Sequence, residues 1–242
     1  VPVAWHSATV REVVMETAHA ATIVLALEDW PGHVAGQHVD VRLTAQDGYQ
    51  AQRSYSIASA PEQDELALTV ERIDDGEVSP YLVDELRSGD PLELRGPIGG
   101  HFVWRVADGG PLLLIGGGSG LVPLMAMLRH HAAQRSAIDA RLLVSARSLE
   151  DVLYREELAA AGSRAGVRTE LTLTRERPAG WEGLDRRIDA AMLEALGPPP
   201  AAAPLIFVCG PTPFVERAAD LLVELGHPPS AIRAERFGPS GG

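Results

Sequence analysis

Apolar and polar residues alternate in two different rhythms along the chain. Up to about residue 107, short runs rich in Val, Thr and Leu recur at 22–27, 38–43, 66–71 and 91–94. Turn signals separate them, among them Trp30-Pro31-Gly32, Gln46-Asp47-Gly48 and Asp74-Asp75-Gly76. Short strands at close spacing predict a small antiparallel β barrel, with one short helix over 78–86. From about residue 109, apolar runs at 112–115, 141–145, 169–174, 205–209 and 232–236 alternate with helical patterns at 121–133, 151–161, 185–196 and 213–225. Strand–helix alternation over five strands predicts a doubly wound parallel sheet of the α/β class. The proline- and alanine-rich stretch 197–204 is a surface loop before the fourth of these strands. The expected organisation is a barrel domain over 1–107 and an α/β domain over 108–242, divided near Asp108-Gly109-Gly110.

Composition narrows the function. The 242 residues are 45% hydrophobic and 22% charged, values of an ordinary globular chain. A net charge of −12 disfavours a nucleic-acid partner. All 21 cationic residues are arginine. Without lysine there is no Walker A phosphate loop and no Schiff-base chemistry. Cys209 is the single cysteine, so neither an intrachain disulfide nor a four-cysteine iron–sulfur site is available, and a reducing, cytoplasmic setting is expected. Residues 1–5 lack the basic start and apolar core of a signal peptide. The uncharged stretch 109–128 is long enough to span a bilayer, but its six Gly and two Pro cluster mid-segment and read as strand, glycine loop and helix, so no membrane span is expected.

Gly116-Gly117-Gly118-Ser119-Gly120 follows the run 112–115 and precedes the helix beginning near Val122-Pro123. Backbone N–H groups at a helix start attract an anion, and missing side chains let a phosphate approach; the alternative is a bare strand-to-helix turn. The spacing is not G-x-G-x-x-G, because the sixth position is Leu121. Eight histidines raise the question of a metal, but no H-x-x-x-H or Cys/His cluster occurs, and no metal site is expected. Ser119 lacks the spacing of a nucleophile elbow, which removes a hydrolase.

Arg53-Ser54-Tyr55-Ser56 lies in the barrel half. In an extended segment Arg53 and Tyr55 point one way and Ser54 and Ser56 the other. One face then offers a guanidinium for phosphate and a ring for stacking. The motif order is R-x-Y-S, G-x-V-S at 76–79, G-P-I-G-G-x-F at 96–102, the glycine loop, Cys209-Gly210-Pro211, and E-R-F-G at 235–238. This order resembles the ferredoxin–NADP reductase superfamily of flavoproteins over nearly the whole chain, and most of all the stand-alone bacterial oxygenase-type reductases.

The resemblance implies a set of roles. Arg53 would neutralise the FAD pyrophosphate, Tyr55 would stack on the isoalloxazine, Ser54 would belong to the same FAD-binding segment, and Ser56 would hydrogen-bond near flavin N5. Gly76, Val78 and Ser79 would bind the pyrophosphate, although Asp75-Gly76 alone suffices for a turn. Gly117, Gly118, Ser119 and Gly120 would hold the pyridine-nucleotide pyrophosphate. Cys209, Gly210 and Pro211 would border the nicotinamide, the alternative for Cys209 being a small buried hydrophobe. Glu235 would join Ser56 and Cys209 as a catalytic group, and Phe237 would cover the flavin ring; strand-end packing is the alternative for both. Ser145, Arg147 and Tyr154 would take the 2′-phosphate and adenine of NADPH, with Tyr154 alternatively packing its helix and NADH remaining possible. The implied function is an FAD-dependent reductase, monomeric and cytoplasmic, that takes hydride from NAD(P)H and passes single electrons to a ferredoxin serving an oxygenase. Because that acceptor would be acidic, docking calls for an arginine patch drawn from Arg129, Arg135, Arg233 and Arg236. A free-flavin or ferric reductase and a non-catalytic nucleotide sensor are the alternatives.

Overall fold

A computed structural model describes residues 3–237. Val1, Pro2 and the tail from Gly238 to Gly242 lie outside the described residues, and with them the last glycine of E-R-F-G.

Six strands form the first sheet: β1 (Trp5–Thr17), β2 (Ala20–Ala26), β3 (His38–Thr44), β4 (Gln50–Ser56), β5 (Leu66–Glu71) and β6 (Pro91–Ile98). Their order is β4-β3-β6-β1-β2-β5, every pairing antiparallel. The two edges meet where Ile57 bridges Leu68 and the Ala58 N–H donates to the Ala67 carbonyl at 2.7 Å, closing the barrel. Closure leaves no long unpaired edge. Inward residues such as Val10, Ile23, Val39, Leu68 and Leu94 are buried and form one core.

The second sheet contains β7 (Leu112–Gly117), β8 (Ala140–Ala146), β9 (Val167–Leu173), β10 (Leu205–Pro211) and β11 (Ile232–Phe237). All are parallel, in the order β11-β10-β7-β8-β9. Alternate residues of β7 face opposite ways: Leu112 and Leu114 join one core, Leu113 and Ile115 the other. Helices α1 (Leu121–Ala133) and α2 (Arg155–Gly162) cover the first face; α3 (Ala190–Leu196) and α4 (Thr212–Glu224) cover the second. The chain winds from β7 out to β9, then returns to place β10 against β7 on its other side. A crevice opens at the carboxyl ends of β7 and β10, where such sheets bind ligands. The uncharged stretch 109–128 supplies β7, the glycine turn and the first half of α1, and no helix among the described residues is long and apolar enough to cross a membrane.

The predicted elements differ from these in four places. Strand β1 was not foreseen, because bulges at Val10/Glu12 and Met15/Thr17 break the period-2 pattern. The helix over 78–86 reduces to a π-helical turn, Tyr81–Glu85, ended by Leu86 in an extended conformation. Helix α2 starts four residues late because Tyr154 takes a left-handed φ of 53°. Helix α3 starts at Ala190, where the Asp189 side chain accepts the Met192 N–H at 2.8 Å as an N-cap.

The two sheets share a core. Helix α1 is apolar almost all round, and such a helix has no face for water. It packs against the strands of its own sheet and against Ala35, Ala58, Phe102 and Trp104 from the barrel side. Trp104 is fully buried, stacks on His131 at 6.1 Å and meets His130 edge-on at 5.5 Å. His130 Nδ1 lies 2.7 Å from Glu62 Oε1, and His131 Nε2 lies 2.8 Å from the Ile138 carbonyl. Both histidines therefore serve the seam between the sheets. Truncating Trp104→Ala is expected to cost about 3–5 kcal/mol, read as a lower urea midpoint at an unchanged slope.

Candidate functional site

Strand β7 runs into a tight 3-10 turn over Gly118–Gly120 before α1 begins. Two of its glycines are required for different reasons. Gly118 has φ +55°, and open space surrounds its Cβ position, so only its backbone conformation demands glycine. A Cβ on Gly120 would lie 2.2 Å from the Cys209 carbonyl oxygen, so glycine there lets the turn press against β10. A cavity of about 430 Å³ opens beside this turn, lined by Gly117, Gly118, Ser119, Ser145, Arg147 and Pro211. Asp151 also lines this cavity, and one of its oxygens accepts hydrogen bonds from the Ser148 N–H at 3.1 Å and the Ser148 hydroxyl at 2.8 Å. The barrel completes the cavity with Thr17, His19 and Arg72.

A second cavity of about 410 Å³ lies on the barrel, lined by Arg53, Tyr55, Ser56, Gly76, Val78 and Ser79. Strand β4 brings the first three there, paired along β3 with Arg53 opposite Val41 and Tyr55 opposite Val39. Tyr55 packs on the barrel core, and burial pushes its phenol well above the usual range. Ser54 also lines this cavity, but its hydroxyl donates to Asp40 at 2.6 Å. Burial opposes ionisation of Asp40, yet hydrogen bonds from Ser54 and Arg95 outweigh it and lower its pKa. On the facing loop the Ile73 N–H donates to Ser79 Oγ at 3.0 Å and the Gly76 N–H to the Ile73 carbonyl at 2.9 Å. Arg53 Nη2 donates to Glu77 Oε2 at 2.8 Å, and the Tyr49 hydroxyl donates to Glu77 Oε1 at 2.6 Å.

The two cavities meet. Glu71, Ser119 and Phe237 line both of them. Phe237 ends β11 and packs against the core shared by the two sheets. A long ligand in the barrel cavity and a second in the crevice would be brought edge to edge at these three residues. The chemistry of the donors suits two phosphate-bearing ligands: a guanidinium, a ring and a turn on one side, a glycine turn and a second guanidinium on the other.

Several expected residues lie elsewhere. Tyr154 is a correction: it is buried between the sheets, with burial the main cause that pushes its phenol up to about 12. Its hydroxyl donates to Thr69 of the barrel, and the Arg129 guanidinium sits 4.6 Å from its ring. No face remains for adenine. Gly120, Cys209 and Gly210 form the packed contact between turn and β10 rather than the wall of a cavity. Cys209 is fully buried, and burial pushes its thiol well above the usual range. Glu235, unlike Phe237, lines neither cavity. Its Oε1 is 4.0 Å from His38 Nδ1, its Oε2 is buried without a hydrogen-bond partner, and burial raises its pKa to about 7. Two of the four arginines expected in a docking patch are engaged within the chain. Arg129 donates to the Ala58 carbonyl at 2.7 Å and to Glu157, and Arg233 donates to the Val103 carbonyl at 2.7 Å. Arg236 alone of the four reaches the barrel cavity. Among the described residues no three His, Cys, Asp or Glu side chains group as metal ligands.

Glu71, Glu77 and Phe214 were missed in the sequence. Glu77 was legible as the variable position of G-x-V-S; Phe214, which lines the crevice, depends on how α4 packs beside Gly117, and Glu71 becomes visible only once the two sheets are packed.

Two family models match this chain. The family described as the oxidoreductase FAD-binding domain matches residues 8–104, and the oxidoreductase NAD-binding domain matches 114–220. The glycine betaine monooxygenase reductase subunit of Pseudomonas aeruginosa is 33% identical over 85% of this chain, and the chain spans 56% of that relative's length. Ferredoxin–NADP reductase B of Sorangium cellulosum is 34% identical over 84% of each chain. The FAD/NAD-binding domain of a nitric oxide dioxygenase from Vibrio cholerae superposes with a TM-score of 0.85 at 26% identity, covering 97% of this chain and 99% of its own. With an FAD-binding barrel and an NAD-binding α/β unit in this order, the chain belongs to the ferredoxin–NADP reductase superfamily of flavoprotein oxidoreductases.

Proposed function

We propose that the chain is the flavin reductase unit of an electron-transfer system, taking hydride from NADPH and delivering single electrons to a separate acceptor protein, a ferredoxin serving an oxygenase. The observation that supports this best is the meeting of the two cavities at Ser119, Glu71 and Phe237. Bound flavin supplies the conversion of a two-electron donor into one-electron steps. Everything else falls to the side chains. Arg53 and the segment Gly76, Val78 and Ser79 hold the flavin pyrophosphate. Tyr55, fixed by the barrel core, lies against the ring. Ser54 is tied back to Asp40 and keeps β4 in register. Ser56 offers a buried hydroxyl to the flavin edge. Gly117, Gly118 and Ser119 take the nicotinamide-nucleotide pyrophosphate, with Pro211 bordering the same crevice. Phe237 shields the junction from water, which strengthens the electrostatics of transfer and limits side reactions.

NADPH is favoured over NADH because Ser145 and Arg147 line the crevice while Asp151 is engaged by Ser148. A carboxylate free to hold the ribose diol would point the other way. A free-flavin reductase is the second reading, favoured by the carboxylate of Glu77 on the Arg53 guanidinium.

A visible spectrum before and after anaerobic NADPH tests the main reading. A yellow protein whose flavin bands bleach is expected; a colourless protein that binds no added FAD overturns it. Arg147→Ala should lower the ratio of kcat/KM for NADPH over NADH about tenfold, the scale of one lost charge-assisted phosphate contact. An unchanged ratio removes Arg147 from coenzyme choice.

Glu235 makes a pH prediction. Its folded pKa of about 7 lies above the usual value of 4.5. Below pH 4.5 both folded and unfolded chains carry the proton, and nothing is lost. As pH rises toward 7 the unfolded chain gives up its proton first, so stability falls, and the full penalty stands above pH 7. Glu235→Gln should therefore be more stable than wild type by about 1–3 kcal/mol at pH 8 and equal to it near pH 4.5. Thermal unfolding of both proteins across that range checks it.

A further inference from the structure

We propose that Glu77 sets the flavin affinity of this chain by competing with the flavin pyrophosphate for Arg53. The inference rests on the flavin assignment made above. Arg53 and Glu77 line the same cavity, and their charged atoms are 2.8 Å apart. Glu77 stands between Gly76 and Val78, so the loop assigned to an anion carries an anion of its own. Two anchors hold that carboxylate in place: Arg53 on one oxygen and the Tyr49 hydroxyl, at 2.6 Å, on the other. Arg53 is itself tied back, its Nη1 donating to the Gln52 carbonyl at 2.7 Å.

The consequence follows from charge alone. A pyrophosphate that reaches Arg53 either displaces the carboxylate, breaking the ion pair and the Tyr49 hydrogen bond, or binds beside it and is repelled. Both routes weaken binding relative to a neutral residue at position 77. The hydrogen bonds from Tyr49 and Arg53 lower the Glu77 pKa, so the carboxylate stays charged across the neutral range and the competition is permanent. The side chains of Arg53 and Glu77 are 41% and 48% exposed, so water screens the effect. A screened pair of this kind corresponds to a change of roughly two- to fivefold in affinity.

Titration of FAD into the full chain, followed by flavin fluorescence at fixed ionic strength, gives the dissociation constant directly and needs no turnover. Glu77→Gln is expected to lower the Kd for FAD two- to fivefold. Asp75→Asn removes a neighbouring negative charge outside the cavity and is expected to leave the Kd unchanged. An unchanged or higher Kd for Glu77→Gln overturns the proposal. An equal gain in Asp75→Asn also overturns it, because a general charge effect would then suffice. If wild type binds no FAD even at saturating concentration, the flavin assignment fails first, and the competition fails with it.

Discussion

Burial of α1 between the two sheets is the constraint from which the site follows. The helix begins at the end of the glycine turn, so whatever fixes the helix fixes the turn. Its residues Leu121 to Leu128 are all buried, with Trp104 and Phe102 on the barrel side and β7 and β10 on the other. Each large buried side chain contributes about 1.5–3 kcal/mol relative to exposure. A hinge that separated the sheets would expose most of this surface at once. The turn is therefore held at one position relative to the barrel, and Ser119 can belong to both cavities.

Polar groups in the same seam point one way. Tyr154 donates to Thr69, Thr69 and Thr22 share a hydrogen bond of 2.8 Å, and Thr22 donates to Glu16 at 2.6 Å. Each hydroxyl donates once and the chain ends on a carboxylate, so no buried donor is stranded. Arg129 reaches across the seam with its other donors, meeting Glu157 at 2.9 and 2.5 Å and the Ala58 carbonyl at 2.7 Å. An ammonium, with a single charged centre, would not satisfy a bidentate carboxylate and a carbonyl in this planar arrangement. Removing Tyr154, Thr69 or Thr22 would leave a buried hydroxyl partner unpaired, so these contacts add specificity to the apolar packing of the seam.

The α/β half was legible because its pattern is local. Each buried strand is a short apolar run, and glycines and prolines mark its ends; α1 and α4 have nearly the predicted bounds. Strand β1 was hidden because its bulges shift the pleat. The late start of α2 follows from Tyr154, whose partner Thr69 is distant in sequence, and that of α3 from the local cap at Asp189. The same distinction separates the site residues. Arg53, Tyr55, Ser56, Gly117, Gly118 and Ser119 belong to continuous motifs and line cavities as expected. Tyr154 was misplaced because its partner Thr69 lies 85 residues away. Glu71 was missed for the converse reason: it is one polar residue at the end of a strand until the α/β sheet is laid beside it.

Glu77 in the barrel cavity and Glu235 outside its lining show how surroundings set the charge of an acid in this fold. Glu235 is half-buried beside His38 and does not line that cavity; desolvation raises its pKa to about 7. Glu77 is exposed, and Tyr49 and Arg53 keep it charged. The raised pKa lowers the mean charge of Glu235 near neutrality, while Glu77 stays charged beside Arg53, which offsets it.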